Sequence, residues 1–384
     1  MKLGIISDCI HYKMPDGKIG TENHILLRQL QELCSHFSET LISCPFGEYN
    51  AARVISTYTD TNIQFYALPK AGGGTIKAKI ELLLIIPKWL KAYRTIDKFS
   101  DIVYQRFPNN LNIPGFFYFW LKKKKVFATY TGTWKRHNGE PLTYMFQRWL
   151  LNHCFKGPVW VYADEKPANT RIIPSYSPSY SDEVWNEEIE EVEKRIAKLK
   201  TNGLTTFRLI TVGSLCENKN QVYIIETCKI LKEIGFDFTL KIVGDGEIRN
   251  HLSSLINQYS LQNEIEMVGK KRYEELRELY RQSDFVVQAP LTEGFGKVPV
   301  EGLFHGVIPI INNISLAFVI TGNGERGFLF EANKPENLVN CLLNIKQEIH
   351  GLPHMIKKGR EYAKSKTLKA WANEYYDGIS EYYK

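Results

Sequence analysis

The second half of the sequence alternates short apolar runs with stretches that have a helical pattern, and this alternation constrains the fold more than any other feature. In residues 273–282 the apolar side chains fall on one face of a helix. The apolar runs are rich in β-branched residues and lack polar alternation, as in a parallel sheet that helices cover on both faces. We predict strands over residues 209–212, 240–243, 265–268, 285–289 and 307–311, and helices over 220–234, 247–259, 273–282 and 298–305. This order predicts a doubly wound α/β domain.

The first half of the sequence repeats this rhythm less regularly. We predict strands over residues 3–7, 41–44, 65–68, 102–104, 126–130 and 159–162, and helices over 22–33 and 76–96. The second of these helices contains Pro87, which removes a backbone donor, so we expect a break near that residue. The two halves together predict two α/β domains in one chain.

The 384 residues are enough for two such domains. Between the halves lies the segment SYSPSYSDEVW, followed by a run rich in Glu and Lys, and this composition is typical of a linker or of a solvated helix. We predict a first domain over residues 1–175, a linker over 176–205, a second domain over 206–364 and a C-terminal helix over 365–384.

The cysteines and the apolar segments indicate the compartment. The seven cysteines are scattered without metal-binding spacing, which favours free thiols in a reducing compartment. The apolar part of MKLGIISDC is too short for a signal-peptide core. The longest apolar stretch, residues 113–121, is about half of the roughly 20 residues that a spanning helix needs. We therefore expect a cytoplasmic protein.

The segment EGFGKVPVEGLFHGVIPI, residues 293–310, carries the most specific chemical signal. It follows a predicted buried strand, and open α/β sheets bind ligands at the carboxyl ends of their strands. Gly294 and Gly296 let the backbone approach a ligand, and the helix start that follows offers N–H groups to a phosphate. Glu293 and Glu301 can accept hydrogen bonds from sugar hydroxyls. The alternative is an ordinary strand–loop–helix connection with one capping and one surface glutamate.

The spacing E-x7-E, with GFG inside it and HGVIPI after it, resembles the donor-binding motif of the family 4 retaining glycosyltransferases. The resemblance implies two Rossmann-like domains that face a cleft, the GT-B fold, and hexosyl-type transfer in bacterial-type surface polysaccharide assembly. By this resemblance, Glu293 would hold hydroxyls of the donor sugar and Glu301 those of the ribose. The neighbouring donor-binding residues would be Gly294, Phe295, Gly296 and Lys297.

The segment TVGSLCENKNQ resembles the VGRLxxxKG element of the same family. Gly213 begins the turn and would lie at the donor, and Lys219 would contact the donor phosphates as a point charge. Ser214 stands where the family usually has an arginine, so one cation of the expected diphosphate site is missing. The alternative for Lys219 is a solvated lysine at a helix start.

Three later segments resemble the family in matching order. In VGDGE the two glycines are expected to serve the turn more than the ligand. VGKKRYEEL matches the stretch where the family holds the nucleotide base, which makes Gly269 a donor-binding candidate. SKTLKAWANEYY, with Trp371, resembles the C-terminal helix that crosses back to the first domain.

The first half offers weaker candidates. The loop DGKIGTENH lies where the family has a glycine-rich loop near the donor, which makes Gly20 a donor-binding candidate, although simple helix capping by Thr21 is the alternative. The segment TYTGTW lacks the histidine that the family often has there. Acceptor-side candidates are therefore Thr131, Thr133 and His137, with a solvated loop histidine as the alternative for the last, and we assign no general base.

A retaining transfer without a protein base is chemically coherent, since the departing diphosphate can take the proton of the acceptor. The protein would then position the reactants and stabilise the negative charge that develops on the diphosphate. Glu293 and Lys219 are the predicted catalytic residues. We expect no essential metal and no cofactor, a UDP- or GDP-sugar as the donor, and a saccharide or lipid-linked saccharide as the acceptor.

Charge is distributed unevenly along the chain. Residues 1–175 hold 23 Lys and Arg against 13 Asp and Glu, whereas the net charge of the whole chain is +7. The segment PGFFYFWLKKKKVF, residues 114–127, sets aromatic residues beside four lysines. This pattern predicts peripheral contact with an anionic membrane, and the alternative is a buried helix followed by a solvated lysine cluster. Since no nucleic-acid-binding module is recognisable, we expect no nucleic-acid partner.

Two other functions are compatible with the same pattern. Sugar-nucleotide 2-epimerases share the two-domain fold, although the E-x7-E spacing with GFG favours a transferase. A non-catalytic protein that keeps the fold would be consistent with Ser214 and with the missing histidine.

Overall fold

The computed structural model describes residues 1–51, 53–69, 76–137, 139–163 and 169–384, with the backbone alone over 76–84. The chain divides into two compact units. The first unit comprises Met1–Ser179 together with Leu368–Lys384, and the second comprises Tyr180–Thr367. The sequence predicted the junction within residues 176–205.

In the described residues, the first unit is built around a sheet of ten strands. Its strands are β1 (Lys2–Ile6), β2 (His11–Lys13), β3 (Ile19–Thr21), β4 (Glu39–Gly47), β5 (Ser56–Thr57), β6 (Ile63–Leu68), β7 (Ile102–Phe107), β8 (Lys125–Thr133), β9 (Val159–Tyr162) and β10 (Ile172–Pro174), and the helices between them are α1 (His24–Cys34), α2 (Ile76–Phe99), α3 (Asn112–Leu121) and α4 (Leu142–His153). Strands β10, β9, β8, β7, β1, β4 and β6 lie side by side in that order and run parallel. Helices cover this sheet, as the alternating pattern predicted.

Residues 11–21 form a β hairpin at the point where the sequence predicted a glycine-rich loop, so that local prediction is wrong. β2 and β3 pair in antiparallel register, Gly20 lies in the middle of β3, and β3 pairs onward with β5. Each of these strands has two or three residues, too few for an alternating pattern to be visible. Asn23 rather than Thr21 caps α1, because Asn23 Oδ1 accepts a hydrogen bond from Leu26 N.

Helix α2 continues through Pro87 over 24 residues, so the predicted break near that proline is wrong. Proline removes one backbone hydrogen bond from a helix interior. The part of α2 after Pro87 is held by packing, since Trp89, Tyr93 and Ile96 are buried in the core of the first unit. Among the described residues, no helix combines the length and the apolar composition that crossing a membrane requires.

The second unit is a doubly wound domain on a sheet of six parallel strands, as counted in the described residues. Its elements are α5 (Asp182–Asn202), β11 (Phe207–Val212), α6 (Gln221–Glu233), β12 (Phe238–Val243), α7 (Arg249–Gln258), β13 (Ile265–Gly269), α8 (Tyr273–Arg281), β14 (Phe285–Gln288), α9 (Lys297–Phe304), β15 (Ile308–Asn312), α10 (Ala317–Thr321), β16 (Phe328–Phe330), α11 (Pro335–Gln347) and α12 (Leu352–Lys364). The strand order is β13, β12, β11, β14, β15, β16, which is the Rossmann order with its reversal between β11 and β14. The prediction of two Rossmann-like domains is confirmed.

Helix α5 occupies most of the segment that the sequence assigned to a linker. Asp182 and Glu183 lie in its first turn, where negative charge is favourable near the helix N-terminus. Its buried side chains, Glu188, Val192 and Ile196, face the second unit, to which the helix belongs. The solvated-helix alternative therefore describes this segment better than a linker does.

The last helix, α13 (Leu368–Tyr382), belongs to the first unit although it follows the second in the chain. It packs against α1. Tyr375 stacks on Trp160 of β9 with ring centroids 4.2 Å apart, and Trp371 is buried beside it. These aromatic contacts attach the C-terminus of the chain to the first sheet.

Candidate functional site

Three glycine turns follow the strands at the carboxyl edge of the second sheet. Gly213 N donates a hydrogen bond to Val243 O, and Gly244 N donates to Gly269 O, each at 3.0 Å. These bonds join the turns after β11, β12 and β13 in a row. A Cβ at Gly244 would lie 1.8 Å from the carbonyl oxygen of Gly213, so no other residue fits there. This close approach agrees with the predicted turn role of Gly244.

The turn that carries Lys219 is fastened to the loop that carries Glu293. Asn218 Oδ1 accepts hydrogen bonds from Thr292 N at 3.1 Å and Thr292 Oγ1 at 2.7 Å, and Asn218 Nδ2 donates to Thr292 O at 2.9 Å. Leu291 N also donates to Asn218 O. With the two loops held side by side, Lys219 Nζ donates a hydrogen bond to Glu293 Oε2. Asn218 was not predicted from the sequence, although it stands directly before the predicted lysine.

Lys219 and Glu293 line one pocket at the start of α9. Their side chains are 25% and 28% exposed, so both can meet a ligand. The structure brings five predicted site residues together in this pocket, namely Lys219, Glu293, Phe295, Gly296 and Lys297. Its further polar groups come from Gln288, Asn312 and Ser315, and most of the remaining wall is apolar. A cation, a carboxylate and a helix start thus meet on a largely apolar wall, as ligand sites in α/β proteins commonly do.

The loop between Glu293 and α9 is held in one shape. Glu293 Oε1 accepts a hydrogen bond from Gly294 N at 3.1 Å, and Ser315 Oγ donates to Gly294 O at 2.9 Å. Gly296 is the N-cap of α9 and has φ +83°, a left-handed conformation that glycine adopts readily. Because Gly296 has no side chain, the N-cap residue itself does not cap α9 with a side-chain hydrogen bond. Its first N–H groups and the positive end of its dipole therefore remain suited to an anion.

Glu301 lies on the buried side of α9 and is 4% exposed. Its Oε2 accepts a hydrogen bond from Tyr280 Oη at 2.9 Å. Glu301 is not among the described residues that line the pocket of Lys219 and Glu293. Burial, together with the Glu301 carboxylate, raises the pKa of Tyr280 well above its usual value, so the phenol stays protonated and keeps donating.

A buried polar network continues behind Tyr280. The rings of Tyr280 and His305 stack with centroids 5.2 Å apart, and His305 Nδ1 lies 3.2 Å from Glu188 Oε2. Arg277 and Arg281 both donate hydrogen bonds to Glu188 Oε1, at 2.9 and 2.7 Å. Burial disfavours the Glu188 carboxylate, but His305 and the two arginines overcome it and hold the pKa of Glu188 well below its usual range. Burial lowers the pKa of His305 in spite of Glu188 beside it.

This network was absent from the sequence analysis because its members come from three helices. Glu188 looked like one of many acidic residues in a solvated run, and its burial was the missing information. Tyr280 was read only as part of an apolar helix face. The network connects α5, α8 and α9 and orients Glu301 from behind.

The other second-unit candidates lie on the glycine turns. Ser214 is exposed, and its carbonyl oxygen accepts a hydrogen bond from Gln221 Nε2 at 2.9 Å. At Gly269 a Cβ would lie 3.8 Å from Arg249 Nη1. Arg249 therefore sets a guanidinium beside the predicted base-binding turn, and it is a cation that the sequence analysis missed. Its place in the first turn of α7, just after the VGDGE turn, was the available signal.

The first-unit candidates occupy the hairpin and the end of β8. A Cβ at Gly20 would lie 2.2 Å from Ser56 O, so this glycine is required by the pairing of β3 with β5. Thr133 O accepts a hydrogen bond from Arg148 Nη1 at 3.2 Å. His137 is half-buried beyond the end of β8.

Thr131 lies in a cavity of about 300 Å³ at the carboxyl ends of β1, β7 and β8. Its hydroxyl donates to Phe107 O at 3.1 Å. The cavity is also lined by Asp8, Cys9 and Arg106. Such a position is where an open α/β sheet accepts ligands, and the charged pair Asp8 and Arg106 was not found from the sequence.

Comparisons with known proteins find similarity to glycosyltransferases. Residues 192–362 match the family model described as Glycosyl transferases group 1. The amylovoran biosynthesis glycosyltransferase AmsK of Erwinia amylovora is 31% identical over 163 residues, which are 41% of this chain and 40% of the relative. The UDP-Gal:alpha-D-GlcNAc-diphosphoundecaprenol alpha-1,3-galactosyltransferase of Escherichia coli is 28% identical over 158 residues, 40% of each chain. These alignments span less than half the length of either relative.

A solved structure extends the likeness to the whole chain at the level of the fold. HepE of Anabaena, crystallised in complex with UDP and glucose, superposes with a TM-score of 0.70 over 99% of both chains at 14% identity. The overall likeness supports the predicted GT-B class of two Rossmann-like domains. Over residues 192–362, the second unit is thus similar to the Glycosyl transferases group 1 family model.

Proposed function

We propose that the protein is a retaining, hexosyl-type glycosyltransferase that moves a sugar from a nucleotide-diphosphate donor to a saccharide or lipid-linked saccharide in surface polysaccharide biosynthesis. The observation that carries the proposal is the pocket of the second unit. It combines the ammonium of Lys219, the carboxylate of Glu293 and the start of α9, where the N-cap is a glycine. A sugar diphosphate presents the complementary groups, which are phosphate oxygens and hydroxyls.

The contact between Lys219 and Glu293 suggests how the donor is received. In the absence of a donor, the two side chains neutralise each other in a partly buried place. An incoming diphosphate takes the lysine as its counter-ion, and Glu293 then accepts hydrogen bonds from hydroxyls of the donor sugar. As the bond to the sugar breaks, Lys219 and the start of α9 stabilise the charge on the leaving diphosphate.

We assign the nucleoside part of the donor to Glu301 and to the turn at Gly269. Glu301, oriented by Tyr280, is proposed to accept from the ribose hydroxyls, and Gly269 with Arg249 borders the base. The curated relative from Escherichia coli is named for a UDP-sugar donor and a diphosphoundecaprenol acceptor, and HepE was crystallised with UDP. These names support a UDP-sugar before a GDP-sugar, and a lipid-linked acceptor.

We further propose that transfer needs neither a divalent metal nor a cofactor. Lys219 and the dipole of α9 supply positive charge at the position where a metal would otherwise neutralise the phosphates. Full turnover in the presence of EDTA, equal to turnover with added Mg²⁺ or Mn²⁺, is the expected result. A rate that falls at least tenfold with EDTA and returns with metal would contradict it.

We propose that the first unit makes peripheral contact with an anionic membrane at the inner face of the cell envelope. Phe117, Trp120 and Leu121 on α3 are 44%, 44% and 72% exposed, and Lys122–Lys125 follow directly. Exposed aromatic and aliphatic side chains next to lysines suit the interface of a negatively charged bilayer. Such contact would bring the protein to a lipid-linked acceptor.

Donor binding tests the proposal first. Purified protein is screened for thermal stabilisation by UDP-, GDP- and ADP-sugars, and the correct donor at 100 times its Kd should stabilise the fold by about 2.7 kcal/mol. The donor that binds is then incubated with lipid-linked saccharide acceptors, and the anomeric configuration of the product is read by NMR. Retention of the donor configuration supports the proposal, and inversion contradicts it.

The same incubation separates the competing functions. Conversion of the sugar nucleotide to an epimer without any acceptor would indicate an epimerase. Donor binding with neither transfer nor hydrolysis, across a broad acceptor panel, would indicate a non-catalytic protein.

A further inference from the structure

An arginine without a partner lines the cavity at the carboxyl ends of β1, β7 and β8. Arg106 is the last residue but one of β7, and its half-buried side chain borders this cavity of about 300 Å³. We call it the Arg106 cavity. The guanidinium makes no hydrogen bond and no ion pair to any residue that the structure describes. The volume is at the small end of ligand pockets, which are roughly 300–1,000 Å³, so the cavity suits one sugar ring.

Arg106 differs in this respect from the comparable arginines of the first unit. Arg28, Arg148 and Arg171 are also half-buried, and each donates a hydrogen bond to a carbonyl oxygen. Arg148 also pairs with the carboxylate of Glu140. A guanidinium has five N–H donors and a permanent charge, so a place partly withdrawn from water normally provides acceptors for it. The described residues around Arg106 provide none, which makes an oxyanion of a ligand the missing partner.

The carboxylate of Asp8 does not neutralise Arg106. Asp8 follows β1 and lines the same cavity, where it is exposed. The charge of Arg106 acts on this carboxylate, but in the described part of the chain no hydrogen bond or ion pair joins the two side chains. Because Asp8 repels a bare anion, the two residues together favour a ligand that offers hydroxyl groups to Asp8 and an oxyanion to Arg106.

Two further groups at the cavity suit the same ligand. Asn23 is the N-cap of α1 and lines the cavity, so the positive end of the α1 dipole lies there. Its Oδ1 accepts a hydrogen bond from Leu26 N, whereas no described residue accepts from its Nδ2, which remains a donor. Thr131 Oγ1 donates to Phe107 O, so its oxygen can still accept from a hydroxyl. Each of these groups matches either an oxyanion or a hydroxyl.

We propose that the acceptor of this protein is an anionic saccharide and that Arg106 binds its carboxylate or phosphate. The oxyanion accepts two hydrogen bonds from the guanidinium, and hydroxyls of the same saccharide donate to Asp8 and Thr131. Arg106 is then the residue that selects a charged acceptor over a neutral one. This inference rests on the transferase activity proposed above and adds the chemical class of the acceptor.

The test titrates the full chain, without a donor, with three sugar probes followed by ligand-observed NMR. Methyl glucuronide carries a carboxylate, glucose 6-phosphate carries a phosphate, and methyl glucoside is their neutral counterpart. At least one anionic probe should bind about tenfold more tightly than the neutral probe, as charge-assisted hydrogen bonds to a guanidinium predict. Equal affinity for all three probes, or binding of none, would overturn the proposal.

The probe that binds most tightly identifies the source of the anion. Tighter binding of the glucuronide indicates an acceptor with an acidic sugar ring. Tighter binding of the sugar phosphate indicates a phosphorylated acceptor, such as a saccharide linked through a diphosphate. Both results support an anionic acceptor.

Two variants of Arg106 and a matched control make the test specific. Arg106→Gln should abolish the preference and leave the melting temperature unchanged, because the guanidinium makes no hydrogen bond or ion pair within the described chain. Arg106→Lys keeps the charge but cannot donate two parallel bonds, so it should retain only part of the preference. Arg94→Gln removes an exposed arginine of α2 and should behave as the wild type does. A preference that survives both changes at Arg106, or that is lost in Lys219→Ala instead, would overturn the assignment.

Transfer assays separate this inference from the proposed function. With the donor found in the screen, a uronic-acid or phosphorylated acceptor should have a kcat/KM about tenfold above that of the matched neutral sugar. Faster transfer to the neutral sugar would overturn the inference and leave the transferase proposal standing. Weaker binding of the donor nucleotide to Arg106→Gln would assign the guanidinium to the donor and overturn it as well. No transfer from any donor, beside an intact preference for anionic probes, would remove the proposed function and with it the acceptor role of the Arg106 cavity.

Discussion

The two units share one type of sheet but differ in how their ligand-facing edges are built. In the second unit, the carboxyl edge consists of glycine turns that hydrogen-bond to one another, of two loops joined through Asn218, and of a helix start with glycine as its N-cap. In the first unit, the corresponding edge consists of a short hairpin and a cavity whose lining comes from the ends of three strands. The family model matches residues 192–362, inside the second unit.

The difference indicates that a ligand of fixed geometry restricts the residues of its binding site more than a ligand of variable shape does. To bind a diphosphate, the backbone must come close to the phosphates and a cation must lie at a fixed distance from them. The binding site therefore uses glycine and lysine at set spacings. We assign the variable acceptor to the first unit, where side chains from distant segments can meet many shapes. The following predictions test this contrast, from the largest expected effect to the smallest.

Removal of the lysine should have the largest effect. Lys219→Ala should lower kcat by about 10²–10³-fold, since it deletes one positioned donor that stabilises the leaving diphosphate. Steady-state kinetics with the donor identified in the screen measures this. The control Lys229→Ala removes a solvent-exposed lysine of α6 that pairs with Glu233 on the same helix and lies over the ring of Tyr259, and it should retain full activity. In the first unit, by contrast, Thr131→Ala should raise the KM for the acceptor. A Lys219→Ala enzyme with wild-type turnover would refute the donor-site assignment.

Loss of the buried Glu188 charge should destabilise the second unit. Glu188→Gln should lower the free energy of unfolding at pH 7 by about 2–3 kcal/mol, less than for a wholly buried pair because Arg281 is 30% exposed. The pKa of Glu188 is depressed in the folded protein, so its contribution is complete above the ordinary value of 4.5 and fades as pH falls below it. The difference in unfolding free energy between the two proteins, measured with urea from pH 7 to pH 3, should therefore be constant above pH 4.5 and narrow below it. A constant gap at all pH values would contradict this.

A pair of glycine substitutions compares the two edges directly. Gly244→Ala and Gly20→Ala both force a Cβ against a carbonyl oxygen, at 1.8 and 2.2 Å, and each should cost about 1–3 kcal/mol of stability. Only Gly244→Ala should also weaken nucleotide binding, because its turn is bonded to the turns of Gly213 and Gly269. Calorimetric titration of each folded variant with the nucleotide measures whether its affinity has fallen. Equal loss of affinity in both variants would erase the contrast.

Tyr280 should have a smaller, specific effect. Tyr280→Phe removes the hydrogen bond to Glu301, worth about 1 kcal/mol, so the KM for the donor should rise roughly fivefold with kcat nearly unchanged. If the bond orients Glu301 toward ribose, the variant should bind the nucleotide more weakly than wild type does but the 2′-deoxy nucleotide equally well. His137→Ala, in the first unit, should leave both affinities unchanged. Equal weakening for the two nucleotides would indicate a merely structural tyrosine.

Sequence reasoning reached furthest where a local pattern carries the information. The strands β11 to β15 and the helices α6 to α9 were predicted in order because each is long enough to show its period, whereas β16 and the helices α10 to α12 were not predicted. Lys219 and Glu293 were singled out by the spacing of the family motif that this sequence resembles. Sequence reasoning failed where contacts between distant segments determine the structure. α2 passes through Pro87 because Trp89 and Tyr93 hold it, and Glu188 becomes a buried ion-pair centre only when α5, α8 and α9 meet.

The first unit shows the same limit at its hairpin. Gly20 was singled out as a donor-binding candidate, and the sequence did not show that it also allows β3 to pair closely with β5.

The most direct measurement is a crystal structure of the protein with its UDP- or GDP-sugar donor. We expect the diphosphate within hydrogen-bonding distance of Lys219 Nζ and of the first N–H groups of α9, with Glu293 released from the lysine and bonded to hydroxyls of the sugar. A diphosphate bound elsewhere, with Lys219 still paired to Glu293, would contradict the account.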